Sequence, residues 1–530
     1  MVLNKHEIEA TLREENQEIA AGRLKEDSPL DLSDDFRVLC EACRRGDQRV
    51  CQEKITEGVN INARDQYDYT PLILASLCGH YEVVRLLLES GALCERDTFQ
   101  GERCLYNALN DRIRNLLLSY DYSKSTDPLQ PFAGHITSLL TREHPNTSDL
   151  TLVSANESFR LHKFILAARS PYFRRKLATA PETTSFRLPN TVPSQSLQTA
   201  IRFLYLSEVS ADVAEGPEEQ EILTGIDKLS RQLEIERLFE SIISGGDKRL
   251  NRQRRTDEIN RGRDELESWF QENVLEHRVT VESSKADSIR WDRHNGIYAD
   301  VLLRADFDQE EEETGVLNNA NPTSGNDGLL GSIPIGPLGS KSRSPSRTRE
   351  TRQSVLFPAH RAMLLKSEYF LTMFSSTFKE AREADYLQII HVDCSPEVLE
   401  IVLTFLYTDK ADFPLEIAID VLFAADLLFI EKLKVKAAAI ISALGNGSVS
   451  IVESGNARGE TDDEEVVDIY DVIRAGWDLR VPRLEEFGAR YIACRLERYI
   501  DQEEFVKLVK ESAARIKERQ ETDTIELIDE

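Results

Sequence analysis

The chain has no apolar run long enough to cross a bilayer. Its most hydrophobic stretch, Val421 to Ile430, is interrupted by Asp426 and falls well short of the roughly 20 residues that a spanning helix needs. The first residues, Met1-Val2-Leu3-Asn4-Lys5, run into an acidic stretch without the apolar core of a signal peptide. The eight cysteines form no framework. Cys40 and Cys43 make a Cys-x-x-Cys inside an apolar helical pattern, with no second pair at zinc-ligand spacing, so packed thiols are expected there rather than a metal. No P-loop, paired metal ligands or nucleophile elbow occurs, which leaves no motif for a cofactor or for catalysis. Basic residues are also scarce: 65 Lys and Arg against 93 Asp and Glu give a net charge of −28. That surface repels phosphate backbones and disfavours general nucleic-acid binding. The expectation is a cytoplasmic protein with no membrane contact and no enzymatic activity.

At 530 residues the chain is too long for one core. Residues 1–33 read as a charged, solvated arm. Residues 34–118 repeat at a period of 33: Leu39, Leu72 and Leu105 are equally spaced, as are Ala42, Ala75 and Ala108. Gly46 matches Gly79, and Gly58 matches Gly91. Thr70-Pro71-Leu72-Ile73-Leu74-Ala75 has the form of an ankyrin helix start, with Pro71 suited to a first turn and Ala75 small enough for close helix pairing. The third repeat lacks the Thr-Pro start and is expected to decay after Leu118. A stack this short is expected to lean on the domain that follows.

A second repetition is larger. Asp149-Leu150-Thr151-Leu152-Val153, Phe159-x-x-His162-Lys163 and Ser170-Pro171-Tyr172-Phe173 return as Asp300-Val301-Leu302-Leu303, Phe357-x-x-His360-Arg361 and Ser367-Glu368-Tyr369-Phe370. Each copy continues to an apolar helix ending in an aromatic, Tyr205 or Tyr407. The copies are placed at 136–245 and 296–442, joined by a basic linker over 246–265. Asp300 to His360 is 47 positions longer than Asp149 to His162. The excess sits between two strands as an insertion over 304–354, disordered by composition. It includes the Ser/Arg run Ser340 to Arg347, where Ser344-Pro345 is a phosphorylation candidate and the basic residues a nuclear-signal candidate. An acidic loop over 443–466 and a helical extension over 467–520 follow.

The order of a short ankyrin unit, two such copies and a helical tail resembles the ankyrin-repeat and BTB/POZ domain-containing family, of the bipartite type. The resemblance implies a multidomain α+β chain: ankyrin helical repeats, two BTB/POZ domains and a C-terminal extension like the BACK helices that follow many of them. It implies that Asp149, His162, Asp300 and His360 are structural rather than catalytic. Paired BTB copies, within one chain or between two, are implied as well. BTB proteins that recruit cullin-3 ubiquitin ligases carry a hydrophobic-x-Glu step after the Tyr-Phe helix, and Phe378-Lys379-Glu380 stands there in the second copy. The first has Leu177-Ala178-Thr179 near that place and no Glu. The resemblance therefore implies an adaptor joining a cullin-3 scaffold to a protein substrate, with a BTB scaffold or transcriptional co-regulator as the alternative.

Overall fold

The computed structural model describes residues 28–94, 99–124, 130–154, 157–187, 193–207, 217–235, 237–238, 248–307, 353–376, 386–444 and 468–526. Three helical pairs come first: α1 (Asp34–Arg45) with α2 (Gln48–Thr56), α3 (Pro71–Cys78) with α4 (Tyr81–Glu89), and α5 (Phe99–Tyr106) with α6 (Asp111–Lys124). Side chains of Ser33, Asp47 and Thr70 accept from Phe36, Val50 and Ile73 backbone N–H groups, capping α1, α2 and α3. Gly46 and Gly79 end α1 and α3 at φ of 79° and 85°, a conformation that a Cβ would oppose. Leu39, Leu72, Val84 and Leu87 fill the core of this unit together with Cys40, Cys43 and Cys51. None of the eight cysteines is in a disulfide, and burial pushes the Cys40 thiol up to about 12.

Two expectations for this region are corrected. The third pair does not decay at Leu118: α6 runs on to Lys124, anchored by Ile113 and Leu117. Residues 28–33 of the expected arm are exposed or half-buried, but they are tied to the repeats rather than free of them. Leu30 bridges to Arg64, whose guanidinium donates to the Ser28 carbonyl.

The first copy comprises α7 (Gln130–Ser138), β1 (Leu150–Val153), β2 (Ser158–Leu161), α8 (Lys163–Arg169), α9 (Pro171–Thr179), β3 (Ser185–Arg187), α10 (Ser194–Leu204) and α11 (Pro217–Gln232). Its sheet has the order β2-β1-β3, with β2 antiparallel and β3 parallel to β1. The second copy comprises α12 (Lys248–Phe270), β4 (Val279–Glu282), β5 (Val301–Asp306), β6 (Gln353–Ala359), α13 (Arg361–Leu364), α14 (Glu368–Ser375), β7 (Gln388–His391), α15 (Pro396–Thr408), α16 (Ala418–Leu427) and α17 (Glu431–Leu444). Its sheet has the order β4-β6-β5-β7. Both copies therefore place a hairpin beside a parallel third strand, the register that the repeated motif requires. Helices α18 (Ile469–Asp478), α19 (Pro482–Cys494) and α20 (Glu503–Glu526) complete the chain.

Several boundaries move. The first copy starts by Gln130, because Thr137 of α7 donates to its Tyr205 carbonyl and Phe132 and Ala133 lie in the core that both copies share. The second starts at Lys248 rather than 296. The stretch expected as a basic linker is α12, and it buries Ile259, Leu266, Trp269 and Phe270. The insertion is shorter than expected at both ends: Arg304, Ala305 and Asp306 pair with Leu356, Val355 and Ser354. Residues 308–352, with Ser344, and the acidic loop at 445–467 lie outside the described residues.

One continuous core joins both copies and the C-terminal helices, while the ankyrin unit keeps its own. Among the described residues that unit leans, through α2 and α4, on α17 and α19. Arg483 of α19 reaches Glu89 of α4 at 2.6 Å and donates to the Ser442 hydroxyl of α17. The Arg483 side chain is nearly inaccessible and Glu89 is half-buried, so the ion pair marks a fixed contact rather than a surface attraction.

Candidate interaction site

The four motif residues are consumed by the fold. Asp149 accepts from the Lys163 backbone N–H at 2.8 Å, and Asp300 from that of Arg361 at 2.7 Å. His162 and His360 each donate their backbone N–H to a tyrosine hydroxyl, Tyr205 and Tyr407, and each Nδ1 meets the same oxygen. Nε2 of His360 lies 3.0 Å from the Ile297 carbonyl, which can only accept. Nε2 therefore carries the proton and Nδ1 accepts from Tyr407. Burial lowers His162 to about 3 and His360 to about 4, and raises Asp149 to about 7 and Asp300 to about 6. The histidines are neutral struts tying the strand ends to the α10 and α15 termini, their ring nitrogens satisfied inside. Among the described residues no group of three or more His, Cys, Asp or Glu could hold a metal, and no helix is long and apolar enough to cross a membrane.

What the struts hold in place is a seam between the copies. Phe164 stacks on His360 with ring centroids 4.3 Å apart, and Trp269 of α12 lies against both. The helix leading into each copy packs against the other. From α7, His135 Nε2 bonds the Ala362 carbonyl at 2.8 Å and Phe132 lies under Lys366. From α12, Glu258 and Glu265 hold Arg169. Each helix also touches its own copy: Thr137 donates to the Tyr205 carbonyl, and Phe270 stacks on Tyr407. The result is a pseudo-twofold pair closed within one chain. Sequence reasoning missed the residues of this seam. Their signal was present in Ile259, Gly262, Leu266 and Trp269, spaced by three and four along α12.

Phe378 and Glu380 lie outside the described residues, in the connection from α14 to β7. In the first copy the matching Leu177 is 2% exposed, inside α9 and part of the core. It is a packing residue, and the structure does not offer it to a partner.

Two sheet-and-helix copies that exchange their leading helices across a shared core, behind an ankyrin stack, define a tandem BTB interaction protein. The BTB/POZ domain family model matches residues 139–243 and 351–443, and the ankyrin model, three copies, matches 20–126. BTB/POZ domain-containing protein 3 of Schizosaccharomyces pombe is 36% identical over 94% of this chain and 81% of its own length. An ankyrin repeat-containing protein of Saccharomyces cerevisiae is 33% identical over 94% of this chain and 88% of its own. A shorter match, 31% identical over 18% of this chain and 11% of its own, is to the alpha isoform of tramtrack of Drosophila melanogaster. The chain belongs to the family of ankyrin-repeat and BTB/POZ domain-containing proteins, and its domains are those of a protein-interaction adaptor.

Proposed function

We propose that this adaptor is a non-catalytic, substrate-recruiting subunit of a cullin-3 type ubiquitin ligase, working in the cytoplasm. The second BTB copy holds the cullin through Phe378 and Glu380, and the ankyrin unit or the first copy holds the protein substrate. The observation that supports this reading is the inequality of the copies. The first buries Leu177 in its own core and has no Glu beside it; the second has Phe378-Lys379-Glu380 in the connection where cullin-binding BTB domains present such a pair. An apolar anchor with a neighbouring carboxylate is the chemistry that a groove on a cullin helix requires.

The test is calorimetry of the full chain with the N-terminal region of cullin-3. Phe378→Ala with Glu380→Ala is expected to weaken binding by roughly a hundredfold, as for loss of a buried aromatic anchor and its charged neighbour. Circular dichroism is expected to be unchanged. The control in the first copy is Thr179→Ala alone, because Leu177 is needed for folding. No binding by the parent, or equal binding by the double variant, would replace this reading with that of a scaffold without a ligase role.

A further inference from the structure

Past the C-terminal end of β7, a cleft of about 450 Å³ opens between the turn into α15 and one face of α16. Neither Phe378 nor Glu380 is among the residues that line it. Its floor includes Val392, Phe423 and Leu427, and its rim carries Asp306, Asp393 and Asp420. Positions 420, 423 and 427 recur at three and four residues and share one helical face. That face is not the core face of α16, which is formed by Val421, Leu422 and Ala425. Phe423 is 42% and Leu427 44% exposed. Two large apolar side chains side by side in an open cleft, on a helix that has already buried its other side, are the mark of a docking surface.

The charge of the rim selects the occupant. Arg304 binds Asp306 at 2.8 Å, and His391 lies on the same carboxylate. The other rim residues that line the cleft add carboxylates and no Lys or Arg. Phosphate backbones and acidic peptides are repelled, and a purely apolar ligand would leave the rim unused. We infer that this cleft docks a short basic segment of a protein partner, with Arg or Lys at the rim and one bulky apolar side chain against Phe423 and Leu427. This contact goes beyond the cullin reading and stands or falls apart from it.

Short random peptides displayed on phage, selected on the full chain and counter-selected on a variant carrying Asp393→Asn, Phe423→Ser and Leu427→Ser, test the inference. Enriched peptides are expected to flank an aromatic or Leu with Arg or Lys. A labelled peptide of that consensus is expected to bind the parent at least about tenfold more tightly than the variant in fluorescence anisotropy. The advantage should shrink with salt as the rim charges are screened. Because the changed positions are outside the core, the variant should keep the parent's thermal midpoint. A remote control with Asp34→Asn, Leu32→Ser and Val38→Ser should bind as the parent does. Acidic consensus peptides, no cleft-dependent enrichment, or equal loss in the remote control would overturn the inference. So would peptide binding that appears only after residues 308–352 are deleted, since the chain's own Ser/Arg run would then be the occupant.

Discussion

Arg169 and Glu265 meet at 2.5 Å across the seam between the BTB copies, and Glu258 holds the same guanidinium at 2.7 Å. Arg169 also donates to the Phe203 and Leu204 carbonyls at the end of α10. At the matching position of the second copy, Lys366 bonds the Phe405 and Leu406 carbonyls and the Asp409 carboxylate of its own copy, and what it meets across the seam is the Phe132 ring. The two halves of the seam are therefore chemically different. Two first copies from separate chains would set Arg169 against a phenylalanine and leave Glu258 and Glu265 unmatched. This difference favours pairing within the chain, which tethering further assists by raising the effective concentration of the second copy to about the millimolar range.

The full chain is accordingly expected to be a monomer by light scattering at low micromolar concentration. Arg169→Ala should cost about 3 kcal/mol in urea unfolding, the lower end for breaking a buried pair, because Glu258 and Glu265 retain some contact with water. A stable dimer of the parent would count against closure within one chain.

Gly262 is expected to tolerate no side chain. A Cβ there would lie 2.6 Å from Leu206 Cδ2 and 2.9 Å from Arg169 Nη1. Neither can retreat easily: Leu206 is held at a φ of 55°, and Arg169 is fixed by its carboxylates. Gly262→Ala should destabilise by about 1–3 kcal/mol. Gly134→Ala on α7, where a Cβ meets nothing within 4 Å, should instead be neutral or stabilising by up to about 1 kcal/mol. Equal thermal midpoints for the two variants would show that the seam is loose at α12.

Acid sensitivity follows from five buried groups. Burial lowers His135 and His360 to about 4 and His162 to about 3, and raises Asp300 to about 6 and Asp149 to about 7. Between roughly pH 4 and 6 the unfolded chain binds three protons on these groups and the folded chain two. Stability should therefore rise with pH by about 1.4 kcal/mol per unit from this set and level off near neutrality. His135→Gln removes one proton from the unfolded side and should flatten that contribution. Asp149→Asn removes one from the folded side and should roughly double it. Urea unfolding across this range checks both slopes against the parent, and slopes that match the parent would refute the assignment.

At the ankyrin contact, Glu89→Ala leaves the Arg483 side chain, 7% exposed, with the Ser442 hydroxyl in place of a carboxylate. The loss is expected to be about 3 kcal/mol, felt as faster hydrogen exchange in α2 and α17 rather than as global unfolding. Arg483→Ala should be milder, because Arg85 still holds Glu89. Protection unchanged in both variants would mean that the unit is held by its apolar contacts instead.

The repeats were legible because each is a local pattern repeated. The 33-residue period put Leu72 and Ala75 in a core, and the Asp-His spacing marked strand ends in both copies. Helix α12 was not legible. Its buried face consists of a few residues in a helix of 23, surrounded by charges, and such a segment reads as a solvated linker. Strand β4 was missed because four residues, Val279–Glu282, are too few to show a period.

The sequence by itself determined the modules, their order and which side chains each one buries, because apolar periodicity reports the face that a single helix or strand turns from water. Only the tertiary structure decided how the modules close on one another. Whether Arg169, Glu265 or Arg483 is a surface charge or a buried anchor depends on the group opposite, which lies 96 positions away for the first pair and 394 for Arg483 and Glu89. A charge carries no local sign of that partner. Its burial is set by the Coulomb and desolvation terms of the assembled pair, which do not exist until the fold brings the two together.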